Sequence, residues 1–222
     1  LNAKVFSSVI EKCNLSEKNL LLHYSFSPAI AKRNYDLVEY LLKENVLNED
    51  SLINAIEKDD LKMVNLILKY RNEPFFINKS TKNGTALCIA VKNNQLQIVK
   101  ILLSIPGINP NLCDHNYETP LILSVPNIEI MNQILDFYGD DIIFQSKQLN
   151  ITMKKILRLL FLKAPEAIPA LYRILEIKNI QINELIDNDN FLTYTCKMNN
   201  VDVAKIILNI EKIDVNVLSP KN

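Results

Sequence analysis

The sequence predicts an all-α solenoid of about six helix-turn-helix repeats, with short hairpin fingers in its middle and C-terminal part. Three observations carry this. A helix pair written in Thr85-Ala86-Leu87-Cys88-Ile89-Ala90 and Leu96-Gln97-Ile98-Val99-Lys100-Ile101-Leu102-Leu103 recurs along the chain at one internal spacing. The copies follow one another at intervals close to a single period. The composition, 48% hydrophobic with 7% aromatic and no Trp, suits aliphatic helix packing.

Each copy is anchored on a small residue. Ala29 stands with Phe26 three residues before it, Val38 nine after, and Leu41 and Leu42 twelve and thirteen after. Ala55 has Leu52, Val64, Ile67 and Leu68 at the same offsets; Ala90 has Leu87, Val99, Leu102 and Leu103; Thr195 has Leu192, Ala204, Ile207 and Leu208. A copy two residues tighter runs from Thr119-Pro120-Leu121 through Ser124 to Ile128, Ile130, Met131, Ile134 and Leu135. Anchors at 29, 55, 90, 124 and 195 are separated by 26, 35, 34 and 71 residues. The last step is about two periods and predicts a further repeat near residue 160, where 151–162 and 169–177 read as apolar helices. The approximate units are 1–46, 47–80, 81–114, 115–147, 148–186 and 187–222, forming one array.

The positions have physical reasons. Leu87 and Ala90 face one way on the first helix, the small residue lying where a neighbouring helix must approach closely. Ile98, Val99, Leu102 and Leu103 form the apolar stripe of the second helix. One short pair cannot bury that stripe, so stability has to come from stacking. Asn93-Asn94, Asp59-Asp60 and Asn200 fall where the chain turns between helices, and Asn and Asp tolerate left-handed backbone there. Pro120 fits the first turn of a helix, where its missing N–H is harmless. Ile108-Asn109-Pro110-Asn111, Ile180-Gln181-Ile182-Asn183 and Ile213-Asp214-Val215-Asn216 share an Ile-x-x-Asn ending and mark fingers. The step of 26 leaves Lys43 to Asp50 too short for a finger, so the first two units read as plain helical pairs.

A period near 33 with a Thr-Pro-Leu start and a Val-x-x-Leu-Leu second helix resembles the ankyrin-repeat family. The resemblance covers most of the chain and is most specific in residues 85–111 and in Asn116-Tyr117-Glu118-Thr119-Pro120-Leu121. The family's histidine after Leu is Cys88 in one copy and Ile122 in another, and its turn glycines are mostly Asn, Asp or Tyr here.

Chemistry is excluded largely by what is missing. With only Gly84, Gly107 and Gly139, no Walker loop or dinucleotide Gly-x-Gly can be written. His23 and His115 sit in no nucleophile-elbow or HExxH setting; His115 reads as an exposed turn residue and His23 as a helix-surface one. Carboxylates at Glu49-Asp50, Asp59-Asp60, Asp140-Asp141 and Asp187 to Asp189 fall at turns or helix starts, where capping explains them better than a metal site. Lys154, Lys155 and Arg158 read as a solvated helix face. Cys13, Cys88, Cys113 and Cys196 lack any Cys-x-x-Cys pairing; each reads as a small buried apolar residue, in a reducing, intracellular, cytoplasmic setting. Lys+Arg at 25 balances Asp+Glu at 25, so no nucleic-acid partner is expected. No apolar run approaches the ~20 residues of a membrane span, and there is no signal-peptide pattern. No enzyme activity, cofactor or metal is expected.

What the resemblance implies is binding of a protein partner, whose identity the sequence does not name, through finger tips and exposed residues of first helices. The candidates are Lys82 and Asn83 in one finger, Asp114, His115 and Tyr117 in the next, Asn188, Asp189 and Asn190 in the last, and Glu57, Lys58, Lys92 and Lys197 on first helices. Tyr117 ranks highest, because an exposed aromatic offers a large contact area with one polar tip. A non-catalytic scaffold or adaptor is the leading expectation. The alternative is the regulatory array of a larger enzyme or channel, since a chain beginning at Leu1 without Met and ending at Asn222 reads as part of something longer.

Overall fold

The computed structural model describes residues 3–46, 48, 50–138, 155, 167–175, 190–210, 213 and 214. Its contacts group into two compact units, Leu1–Tyr117 and Glu118–Asn222.

The first unit opens with α1 (Ala3–Ile10), followed by the pair α2 (Leu15–Ala31) and α3 (Tyr35–Lys43) and the pair α4 (Ser51–Glu57) and α5 (Leu61–Tyr70). The short α6 (Pro74–Ile77) leads to the two-stranded finger β1 (Ser80–Thr81) and β2 (Gly84–Thr85), then to the pair α7 (Ala86–Lys92) and α8 (Leu96–Leu103). The strands are antiparallel, with Ser80 opposite Thr85 and Thr81 opposite Gly84. Within each pair the helices pack on each other; between pairs the first helices stack as α2 on α4 on α7, and the second as α3 on α5 on α8. The second unit contains α9 (Pro120–Ser124), α10 (Ile128–Tyr138), α11 (Ala167–Leu175), α12 (Phe191–Lys197) and α13 (Val201–Leu208). There α9 packs on α10, α10 on α11, and α12 on α13.

The small anchors are where the packing is tightest. Ala29, Ala55, Ala90, Ser124 and Thr195 are all buried, and Val38, Val64 and Val99 are fully so. The last copy keeps the spacing but shifts the burial. Phe191 and Ile207 are buried there, while Leu192 and Ala204 are half-buried and Leu208 is exposed. Of the expected repeat near residue 160, the second helix appears as α11, and 151–162 lies outside the described residues apart from Lys155, which pairs with Glu118.

One turn recurs four times. Arg33, Asp59, Asn94 and Asn199 have φ of 53°, 51°, 59° and 53°. In each case the next residue donates its N–H to the anchor carbonyl: Asn34 to Ala29 at 2.9 Å, Asp60 to Ala55 at 3.1 Å, Gln95 to Ala90 at 3.0 Å and Asn200 to Thr195 at 3.2 Å. That bond satisfies an orphan carbonyl at the end of the first helix and sets the direction of the second. The sequence assigned the left-handed position of the last copy to Asn200; it belongs to Asn199, and Asn200 caps α13 by accepting from Val203 N at 3.1 Å. Asn34 and Asp60 cap α3 and α5 in the same way. Around Ser124 the turn is shorter, with Asn127 N donating to Ser124 O at 2.7 Å.

The joints between pairs carry long-range bonds. Asp60, buried at the start of α5, accepts from Met63 N and Tyr35 Oη, and its Oδ2 lies 3.3 Å from Arg33 Nε. Tyr70 Oη donates to Glu39 at 2.6 Å, linking α5 to α3. Gln95 makes no cap; its Nε2 instead donates to Ile56 O at 2.7 Å, in the preceding pair.

Candidate functional site

The finger before α7 is built by local hydrogen bonds. Thr81 Oγ1 donates to Gly84 O at 3.0 Å and accepts from Asn83 N at 3.2 Å, which leaves Lys82 and Asn83 at an exposed tip. Thr85 then caps α7 by accepting from Cys88 N. Gly84 has φ of 106°, and a Cβ there would lie 2.9 Å from Cys88 Cβ and 3.0 Å from Asp114 Cβ. Only a glycine lets the next finger come so close.

That close approach seats Asp114. Its side chain is fully buried, with Oδ2 at 2.6 Å from Lys92 Nζ and Oδ1 accepting from Asn116 N at 2.8 Å. Lys92 Nζ also donates to Asn83 O at 3.5 Å, and Asn83 Nδ2 donates to Glu57 Oε1 at 3.4 Å. Glu57, Asn83, Lys92 and Asp114 therefore form one bonded line from α4 through the finger to the next turn. Cys88 Sγ donates to Leu112 O at 3.3 Å, adding a second tie between α7 and that turn. Burial pushes the Cys88 thiol above its ordinary range, against the opposing hydrogen bonds of Thr85, so it is poorly reactive.

Beyond Asp114 the chain turns outward. His115, Asn116 and Tyr117 are exposed, Tyr117 at 72%, and Tyr117 N donates to Asp114 O at 3.0 Å. Tyr117 has φ of 60°, in the left-handed region that bulky residues seldom occupy. A family model for ankyrin repeats (3 copies) matches residues 22–114 and 52–146, together more than half of the chain. The chain belongs to the ankyrin-repeat family. The match to an all-α ankyrin-type solenoid is thus shown by both the family model and the helix pairs. No curated protein matches the sequence. Ankyrin repeats are in general modules for protein–protein interaction.

In this ankyrin array the structure sorts the sequence candidates. Lys82, Asn83, His115, Tyr117, Glu57, Lys58 and Lys197 are exposed, and Asn83 and Glu57 also bond to each other. Asp114 was expected on the open finger and is instead buried, because Lys92 and the Asn116 amide neutralise and hold its carboxylate. Lys92 is correspondingly tied down, its side chain 33% exposed. Asn190 is also buried: it is the N-cap of α12, accepting from Thr193 N at 2.7 Å. Asn188 and Asp189 lie outside the described residues, as do Asp187 and the Asp140-Asp141 pair. Burial was expected of all four cysteines; Cys88 has it, Cys13 and Cys113 are half-buried, and Cys196 is exposed. His23 is exposed on α2, its ring edge-on to Tyr24.

Sequence reasoning missed Asn78. Its Nδ2 donates to Gly107 O and its Oδ1 accepts from Asn109 N, both at 2.8 Å, stapling the first finger to the loop after α8. The signal was present as Ile77-Asn78 and Ile108-Asn109, the same dipeptide at corresponding places. Phe75, 78% exposed on α6, was also passed over, having no counterpart in the other copies.

No helix among the described residues is long and apolar enough to cross a membrane, and no three His, Cys, Asp or Glu side chains converge there.

Proposed function

We propose that this chain is a non-catalytic scaffold or adaptor that holds a protein partner on its exposed finger tips, with Tyr117 as the anchor and the exposed Lys82, His115 and Lys58 as further contacts. Tyr117 carries the reading. The residue is 72% exposed while its backbone sits at φ of 60°. A left-handed conformation costs a residue with a Cβ about 1–2 kcal/mol, and an exposed ring recovers little of that by burial. Asn or Gly would serve the turn better, so the position favours a property of the side chain over stability. A rigid amphipathic ring presented on a braced turn is what a binding hot spot requires. The brace is the Lys92–Asp114 pair, with its carboxylate buried beneath the turn and its lysine one-third exposed.

The test is capture of partners from the native cell with Lys82, His115 and Tyr117 changed to Ala, Asp114 being left intact. Loss of bound proteins with an unchanged melting temperature is the expected result. Retention of every captured protein removes this surface. As a companion, Tyr117→Asn should raise unfolding stability by about 0.5 kcal/mol, since Asn is far better tolerated in this conformation; a loss of stability in denaturant titration would mean that the ring packs rather than binds.

A further inference from the structure

We propose that a second surface, the open groove between α1, α2 and α3, docks an amphipathic helix that carries an acidic residue beside its apolar stripe. The groove has a volume of about 630 Å³, within the range of ligand sites, and its walls include Phe6, Leu20, Leu21, Tyr24, Pro28 and Leu37. It exists because α2 is 17 residues long, whereas α4 and α7 have 7 each. The first half of α2 therefore projects beyond the stack, and Leu15, Leu20, Leu21 and Tyr24 are exposed along it. Leu15 on α2, and Val5 and Val9 one helical turn apart on α1, are exposed apolar side chains outside the groove lining. An apolar face longer than its cavity matches a helix better than a small ligand.

The polar groups of the groove decide the charge of the occupant. Glu17 is turned to its own helix start, its carboxylate accepting from Asn14 N at 3.1 Å. Asn34 Oδ1 accepts from Leu37 N, Ser25 Oγ donates to Leu21 O, and Cys13 Sγ donates to Val9 O. The Lys32 ammonium and the Tyr24 hydroxyl are left without a hydrogen-bond or ion-pair partner among the described residues. Both can donate to an anion, and Lys32 adds a positive charge. Glu17 lies 15 residues before Lys32, roughly 22 Å away along α2, so a carboxylate complements the Lys32 and Tyr24 end of the groove and a lysine there does not.

The test uses the whole chain and a synthetic helix of about 18 residues, long enough to fold, with a leucine stripe flanked by Glu, against the same helix with Lys in place of Glu. Titration calorimetry reads affinity, and the alkylation rate of Cys13, followed by peptide mapping, reads occupancy of this groove. The acidic helix is expected to bind and protect Cys13, the basic one to bind more weakly. Lys32→Glu should weaken the acidic helix about five- to tenfold and favour the basic one, since an exposed ion pair becomes a repulsion. Leu20→Asp, at an exposed position, should abolish binding without moving the melting temperature. Tyr117→Ala should leave binding untouched, which separates this groove from the finger surface. Equal binding of both helices, or binding without protection of Cys13, overturns the proposal. So does protection by decanoate but not by either helix, or concentration-dependent protection of Cys13 in the free protein with dimerisation in sedimentation, which would make a second copy the occupant.

Discussion

The joint between the α2/α3 and α4/α5 pairs and the joint between the α4/α5 and α7/α8 pairs connect helix pairs of the same internal spacing with different side-chain chemistry. In the first, Asp60 caps α5 and also reaches back to Arg33 and Tyr35, while Glu39 meets Tyr70 with Lys43 and Lys69 close by. In the second, the residue at the corresponding place is Gln95, which gives up the cap and spends its amide on Ile56 O. Its Oε1 is buried with no partner. The comparison teaches that one position has two tasks, capping its own helix and tying to the pair before, and that a short acid performs both where a longer amide performs only one.

The largest test is Asp60→Ala. It removes a helix cap and the acceptor of the Tyr35 hydroxyl, and it breaks the ion pair to Arg33, whose exposed guanidinium keeps Lys58 O, so a loss of about 2 kcal/mol is expected in urea unfolding. A loss below about 1 kcal/mol would put the stability of the first joint in its apolar contacts instead. Next is Gln95→Ala, with an expected loss of only about 1 kcal/mol, because the unpartnered Oε1 is removed together with the useful bond; a loss equal to that of Asp60→Ala would erase the distinction between the joints. The smallest effect concerns pH. The hydrogen bond from Tyr70, and then the charge of Lys43, hold the Glu39 carboxyl below its ordinary value of 4.5. A depressed folded-state value means that this contribution is complete above about pH 4.5 and is lost as pH falls through the lower folded value. Glu39→Gln should therefore flatten the acid limb by slightly lowering the neutral plateau, with stability at the acid end nearly unchanged. An acid limb identical in both proteins would show that Glu39 does not report on the joint.

The fold was legible because its periodicity resides in small and branched residues that cannot be exchanged freely. Ala29, Ala55 and Ala90 sit where helices touch, and a larger side chain would force the pairs apart. The turns were legible where Asp59 and Asn94 stand in left-handed backbone, and silent at Arg33, whose residue type gives no such warning. The candidate surface was only half readable. Spacing places Asp114 and Tyr117 on one finger, three residues apart, but burial of the first and exposure of the second depend on Lys92, which lies 22 residues earlier. Long-range pairing of this kind leaves no local pattern. Asn190 failed for a related reason: the same residue type serves equally as a cap or as an exposed loop amide, and the choice rests on where α12 begins.

Gly84 and Tyr117 give the two fingers different room for substitution. A side chain at 84 meets Cys88 and Asp114 at once and would dislodge the Lys92–Asp114 pair beneath the turn, so this position is shut to drift. At Tyr117 the left-handed backbone and the N–H bond to Asp114 O restrict the choice, but its exposed side chain can be exchanged for others that tolerate that conformation. One locked residue thus insures a freer one, so the side chain shown at the finger tip can change while the mount beneath it stays the same.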